Sequence, residues 1–148
     1  MSKRSSILNS EPLAYISRIL NSYPGTVVAK YEHFAAQATK GIETDVAYLK
    51  KMGFAVCSQD ENAAFCERGD IRIELIKTDV PEHYAWAVQT QEEWNILLDA
   101  FKSDPAFDIV HGRVWVDENQ SAAMFKFGDY GIIQIIWRKV QIFQGLFD

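Results

Sequence analysis

Two histidines open matching stretches of this chain, His33 in KYEHFAAQAT and His83 in EHYAWAVQT. A carboxylate or an amide stands in the stretch that closes each, Glu74 in DIRIELIKT and Gln134 in YGIIQIIWR. Imidazole nitrogens and carboxylate or amide oxygens are donors that zinc, nickel, manganese and iron accept. Four such groups, on strands of two similar halves, can converge on one divalent ion. His33, Glu74 and His83 form the stronger set, because two imidazoles and one carboxylate leave positions open for water or substrate. Gln134 is the weaker fourth donor. Glu74 is the one carboxylate among the four, so proton transfer by a ligand falls to it or to bound water. The competing reading is that the same side chains line a polar cavity or hydrogen-bond to one another.

These residues need strands to carry them. Glu11 to Asn21 has the apolar spacing of an amphipathic helix, with Leu13, Ile16, Ile19 and Leu20 on one face, and Tyr23-Pro24-Gly25 stops it. Residues 1–10 read as disordered. Val27 to Thr39 is rich in β-branched, aromatic and small residues and reads as a strand, although its alanines also suit a helix. Ile42, Val46 and Leu49 have helical spacing, and Gly53 stands where a helix C-terminus favours a positive φ. Phe54 to Gln59, Ala63 to Glu67 and Ile71 to Lys77 then read as three strands joined by short turns. The second half repeats the order: a strand at Tyr84 to Gln89, a helix at Gln91 to Phe101, and strands at Ile109 to Val116, Ala122 to Phe127 and Ile132 to Arg138. The fold class is therefore α+β, with two βαβββ modules forming a curved mixed sheet around a central cavity and an extra N-terminal helix. The extension covers residues 1–26, module one 27–78, module two 80–138 and a tail 139–148.

Side chains alternate between the faces of a strand. Arg72, Glu74 and Ile76 share one face, and Ile71, Ile73 and Leu75 the other. His83 shares its face with Ala85, Ala87 and Gln89, whose small alanines leave room for a ligand, while Tyr84, Trp86 and Val88 point to a helix. Regular alternation groups His33 with Tyr31, Ala35 and Gln37. Gln37 and Arg72 are thus candidate walls of a substrate cavity, Arg72 holding a substrate carboxylate or phosphate or pairing with a nearby acid. Ile132 and Ile136, beside Gln134, make that part of the cavity apolar. Trp86, Trp94, Trp115, Trp137, Phe125 and Phe127 have core spacing, with a flat-ligand floor as the alternative. His111, in an irregular stretch, reads as a surface histidine.

The composition excludes several classes. Fifteen basic and twenty acidic residues give a net charge of −5, without the basic run that phosphate neutralisation demands, so nucleic acid is not an expected partner. No apolar stretch reaches the roughly 18–20 residues of a membrane span. The basic start has no small-residue cleavage site, and a cytoplasmic protein is expected. Cys57 and Cys66 flank a hairpin at Asp60 to Ala63; two free thiols are the expectation, a cross-strand disulfide the alternative. No Gly-rich phosphate loop, nucleophile elbow, CxxC or HExxH motif is present.

From about Val28 to Arg138 the chain resembles the vicinal oxygen chelate superfamily, which includes glyoxalase I, bleomycin and fosfomycin resistance proteins, methylmalonyl-CoA epimerase and extradiol dioxygenases. The resemblance rests on His33 in a first strand, the helix around Val46-Ala47-Tyr48-Leu49, Gly53-Phe54, Ile73-Glu74-Leu75, His83-Tyr84-Ala85, and FKFGDYGIIQ at Phe125 to Gln134. Two departures stand out. Phe127-Gly128-Asp129-Tyr130 replaces the family's Asp-Pro-Asp-Gly turn, and Gln134 replaces its terminal glutamate; a one-residue shift there places Ile135 at that position instead. The resemblance implies a metal site at His33, Glu74, His83 and Gln134 holding zinc, nickel, manganese or iron. It implies an isomerase or lyase that stabilises an enediolate on a small molecule with two adjacent oxygens, or alternatively a non-catalytic binding protein of the bleomycin-resistance type. A homodimer is the expected assembly. In a third reading the Glu11 to Asn21 helix and the tail, with Ile142, Phe143, Leu146 and Phe147, serve as contacts to a partner.

Overall fold

The computed structural model describes residues 11–22 and 27–147. The disorder expected of residues 1–10 and the Tyr23-Pro24-Gly25 stop lie outside them. In chain order the elements are α1 (Glu11–Ser22), β1 (Lys30–Gln37), α2 (Ile42–Lys51), β2 (Ala55–Gln59), β3 (Ala63–Arg68), β4 (Ile71–Ile76), β5 (His83–Val88), α3 (Gln91–Lys102), β6 (Phe107–Val116), β7 (Gln120–Phe127) and β8 (Ile132–Arg138). The strand alternative for residues 27–39 holds. Ala35 is fully buried in the sheet, where a small side chain suits the inner surface.

The eight strands form one curved, open mixed sheet in the order β2-β3-β4-β1-β5-β8-β7-β6. Each half is βαβββ with its first and last strands parallel: β1 pairs with β4, and β5 with β8. The halves join through the antiparallel pair β1–β5 at the centre. Their registers repeat, since Ala35 lies opposite Glu74 as Ala85 lies opposite Gln134. That repetition places Gln134 in module two where Glu74 stands in module one.

The helices cover the convex face. In α3, the Thr90 hydroxyl oxygen accepts from the Glu93 amide at 3.0 Å and donates to the Glu93 carboxylate at 3.0 Å, closing the first turn reciprocally. Trp94, Leu97 and Phe101 then turn inward and are fully buried, each contributing about 1.5–3 kcal/mol of apolar burial. α1 adds Ile16 and Leu20 to the same core, and the Trp86 indole donates to the Ser17 hydroxyl at 2.8 Å. α2 ends with Gly53 at φ 92, which lets the Phe54 amide donate back to the Leu49 carbonyl at 3.0 Å. Ile42, Val46 and Phe54 pack there against Cys66 and Leu75.

Phe143 is buried on the concave face, and Leu146 and Phe147 pack against Ala87, Ala122 and Ile136. Ile16 and Leu20 of α1 and Phe143 of the tail are thus buried within the chain, while Tyr15 and Val140 stay exposed. Cys57 sits at a bulge in the β2–β3 pairing while Cys66 faces α2, and both thiols are free.

Candidate metal centre

The concave face carries the donors. β1, β4 and β5 are neighbours at the sheet centre, and their registers set His33, Glu74 and His83 together. One ligand atom from each lies within 4.8 Å of the other two. His33 Nε2 is 3.0 Å from Glu74 Oε1, and His83 Nε2 is 3.9 Å from the same oxygen. The two imidazole centroids are 5.8 Å apart.

The rings are held from behind. His83 Nδ1 donates to the Pro81 carbonyl at 2.8 Å, which leaves Nε2 as the free lone pair of the neutral ring. That Nε2 is buried and has no hydrogen-bond partner among the described residues. A buried polar atom left this way, beside a carboxylate and a second imidazole, is what a metal-binding nitrogen looks like without its ion. His33 Nδ1 donates to Glu32 Oε1 at 2.9 Å, and the same oxygen accepts from Arg138. The donor set thus fits a divalent cation in number, type and outer support.

Burial and charge act unequally on these groups. Burial pushes His83 down, the His33 charge pushes it further, and the ring settles at about 4 despite Pro81 and Glu74. Burial also opposes the His33 charge, but Glu32 and Glu74 outweigh it and raise that ring above the ordinary 6.5. Burial would raise the Glu32 carboxyl, yet His33 and Arg138 hold it down at about 2.

A cavity of about 270 Å³ opens onto Glu74, His83 and Gln134, with Phe65, Val80, Trp115, Met124, Ile136 and Ile142 as its apolar walls. Gln134 faces this cavity and Ile135 the core, which settles the register of β8. Gly131 at φ 107 makes that register: the Phe127 amide donates to its carbonyl across the turn. A larger hollow of about 700 Å³ lies at the start of α2 among exposed Lys40, Glu43, Asp60 and Lys77, away from these donors.

Comparison with models of protein families and with curated proteins gave no match. Solved structures do match. A hypothetical protein from Bacillus halodurans aligns with TM-score 0.57 and 17% identity over 76% of this chain and 96% of its own. A variant of homoprotocatechuate 2,3-dioxygenase from B. fuscum aligns with TM-score 0.54 and 13% identity over 75% of this chain. The same enzyme from Arthrobacter globiformis gives TM-score 0.51 and 12% identity over 74%. This chain spans about a third of those dioxygenases, 32% and 36% of their lengths. The protein has the vicinal oxygen chelate fold.

Within that fold the concave centre gathers His33, Glu74 and His83 as the sequence suggested, and Gln134 occupies the position in module two that Glu74 occupies in module one. Two expected cavity residues serve elsewhere. Gln37 donates to the Thr78 and Val80 carbonyls at 3.0 and 2.8 Å, pinning the link between the modules. Arg72 donates to the Glu32 and Tyr31 carbonyls at 2.5 and 3.0 Å, so it braces β1. Arg72 thereby holds a β-bulge between Tyr31 and His33 that breaks strand alternation. Tyr31 consequently packs edge-on against Trp86 on the helix side, and Glu32 turns inward beside His33. Glu32 and Arg138 are the residues sequence reading missed. Of the tryptophans and phenylalanines, Trp86, Trp94, Phe125 and Phe127 are core, whereas Trp115 lines the cavity. His111 is exposed, as expected.

Proposed function

We propose that the protein is a metal-dependent enzyme of the glyoxalase type, with His33, Glu74 and His83 as ligands, Gln134 as the neutral fourth, and a small molecule with two adjacent oxygens as substrate. The observation that carries this reading is the His83 Nε2 atom, buried, unpartnered and turned to Glu74. Leaving such an atom unsatisfied costs about 1–3 kcal/mol, which coordination would offset. A bound divalent ion would supply Lewis-acid stabilisation of the negative charge that develops on the substrate oxygens as a carbon-bound proton leaves. Glu74 is the carboxylate at hand to take that proton, and Gln134, uncharged, orients without acting as a base. The mostly apolar walls favour a compact substrate, and Arg138 beside Glu74 gives the cavity a cationic group as well. Two histidines with one carboxylate is also the donor set of non-haem iron(II) sites, so iron joins zinc, nickel and manganese among the candidates.

A second reading, a non-catalytic small-molecule binding protein, is favoured by the 3.0 Å contact of His33 Nε2 with Glu74, which closes the cluster without an ion. Elemental analysis separates the two. Protein purified without chelator should carry near-stoichiometric divalent metal, and His83→Ala should lose it. Absence of metal after incubation with excess iron, zinc, nickel and manganese would leave the binding module, whose ligands would report through Trp115 fluorescence without turnover.

A further inference from the structure

Glu32 and Arg138 form a buried pair spanning the junction of the modules, one at the start of β1 and the other at the end of β8. Glu32 is fully buried and Arg138 is 7% exposed. A single carboxylate oxygen, Glu32 Oε1, accepts from both His33 Nδ1 and Arg138, while Glu32 Oε2 and Arg138 Nε lack partners. Stability is a poor reason to keep such a pair. Desolvating two charges costs several kcal/mol each, and apolar replacements of buried ion pairs are often neutral or stabilising. The pair must therefore be weighed by what it does to the ring it touches.

The duplicated architecture supplies an internal control. Glu82 precedes His83 as Glu32 precedes His33, yet Glu82 turns outward and accepts from the Gln37 amide at 3.0 Å. His83 takes its support from a backbone carbonyl instead. The difference traces to the bulge between Tyr31 and His33, which Arg72 braces and which brings Glu32 and His33 to the same face. Here the two halves differ, and the departure delivers a charged acceptor to Nδ1 of His33 where His83 has a backbone carbonyl.

We propose that Glu32, anchored by Arg138 across the module junction, is a positioning residue that fixes a proton on His33 Nδ1 and aims Nε2, which donates to Glu74 without an ion, at the point where it would ligate a metal. This rests on the metal reading above. A carboxylate on the far nitrogen sets tautomer and ring angle together and makes the near nitrogen a stronger donor. Arg138 keeps the carboxylate from swinging, so the ligand geometry of module one depends on module two being docked.

The test uses the full chain with zinc as probe. Zinc affinity is measured by competition with a chelator for the unaltered protein, Glu32→Gln, Arg138→Lys and Glu82→Gln, and histidine nitrogen-15 shifts are read in the zinc-loaded state. Glu32→Gln should bind about 10–100-fold more weakly, with the His33 nitrogen pattern altered and that of His83 retained. Glu82→Gln should bind as the unaltered protein does. If Glu32→Gln does not fold, Arg138→Lys, which keeps the charge but loses the guanidinium fork, carries the test through the same affinity loss and shift pattern. Zinc binding equal to that of the unaltered protein in both site variants, with His33 Nδ1 still protonated, overturns the proposal and leaves the metal reading standing. Failure of the unaltered protein to bind zinc, iron, nickel or manganese overturns both.

Discussion

His33 and His83 answer acid in opposite senses although they share one site. For His83, held at about 4 against an ordinary 6.5, the unfolded chain takes up a proton between those values while the folded chain refuses it. Stability of the metal-free protein therefore falls as pH drops from 6.5 to about 4, by an amount on the order of 3 kcal/mol for a ring 2% exposed. His33 is raised, so its contribution is complete below 6.5 and is lost as pH climbs through its folded value. Glu32, held at about 2, contributes above 4.5 and loses its effect as pH falls from there. The expected profile, from urea unfolding across pH 4–9 with chelator present, peaks near 6.5. His83→Ala should flatten the acid limb and leave the alkaline one, and an unchanged acid limb would show that this ring is not the cause. His33, Glu74 and His83 were legible because donor type and strand position are written in the chain. Arg138 was within reach, four residues beyond Gln134 on the same face of β8. Glu32 was not, since a period of two cannot foresee the bulge that turns two consecutive residues inward.

The elements that follow hydrophobic periodicity are where the sequence placed them, whereas the tail has no period to read. Ile142, Phe143, Leu146 and Phe147 announced that they need cover but not where, because irregular chain is guided by the surface it meets. That surface is the concave face: the Phe143 ring stands 5.7 Å from Phe65 and 6.3 Å from His33, with Arg72 5.9 Å above it. The tail is thus a wall of the hollow, and Ile142 extends it to the cavity. Phe143→Ala should cost about 3–5 kcal/mol, the range for a fully buried phenylalanine. It should also open the His33 side of the site to water, read as binding of an apolar dye by the folded protein. A loss below 1 kcal/mol by urea unfolding would mean that the segment rests on the sheet without contributing to it. α1 has the same logic from the opposite face, since Ile16 and Leu20 complete the core that α3 and Trp86 begin.

At the scale of the molecule the site belongs to neither half. His33 and Glu74 come from module one and His83 and Gln134 from module two, and β1 and β5 are joined edge to edge without a linker domain between them. Binding free energy at such a site is available only when both modules are folded and docked, so it stabilises the whole rather than a part. With free zinc at one hundred times its dissociation constant the gain is about 2.7 kcal/mol. For a chain of this length that corresponds to a rise of roughly 5–10 °C in melting temperature. Calorimetry should show one transition that moves as a unit, with an enthalpy matching its van't Hoff value. Zinc that split the transition in two, shifting one part alone, would place the ion within a single module and dissolve the shared centre. Arg138→Lys sharpens the experiment: it leaves all four proposed donors in place but weakens a buried charged tie between the halves, so its metal-induced rise should be smaller than that of the unaltered chain at equal free zinc.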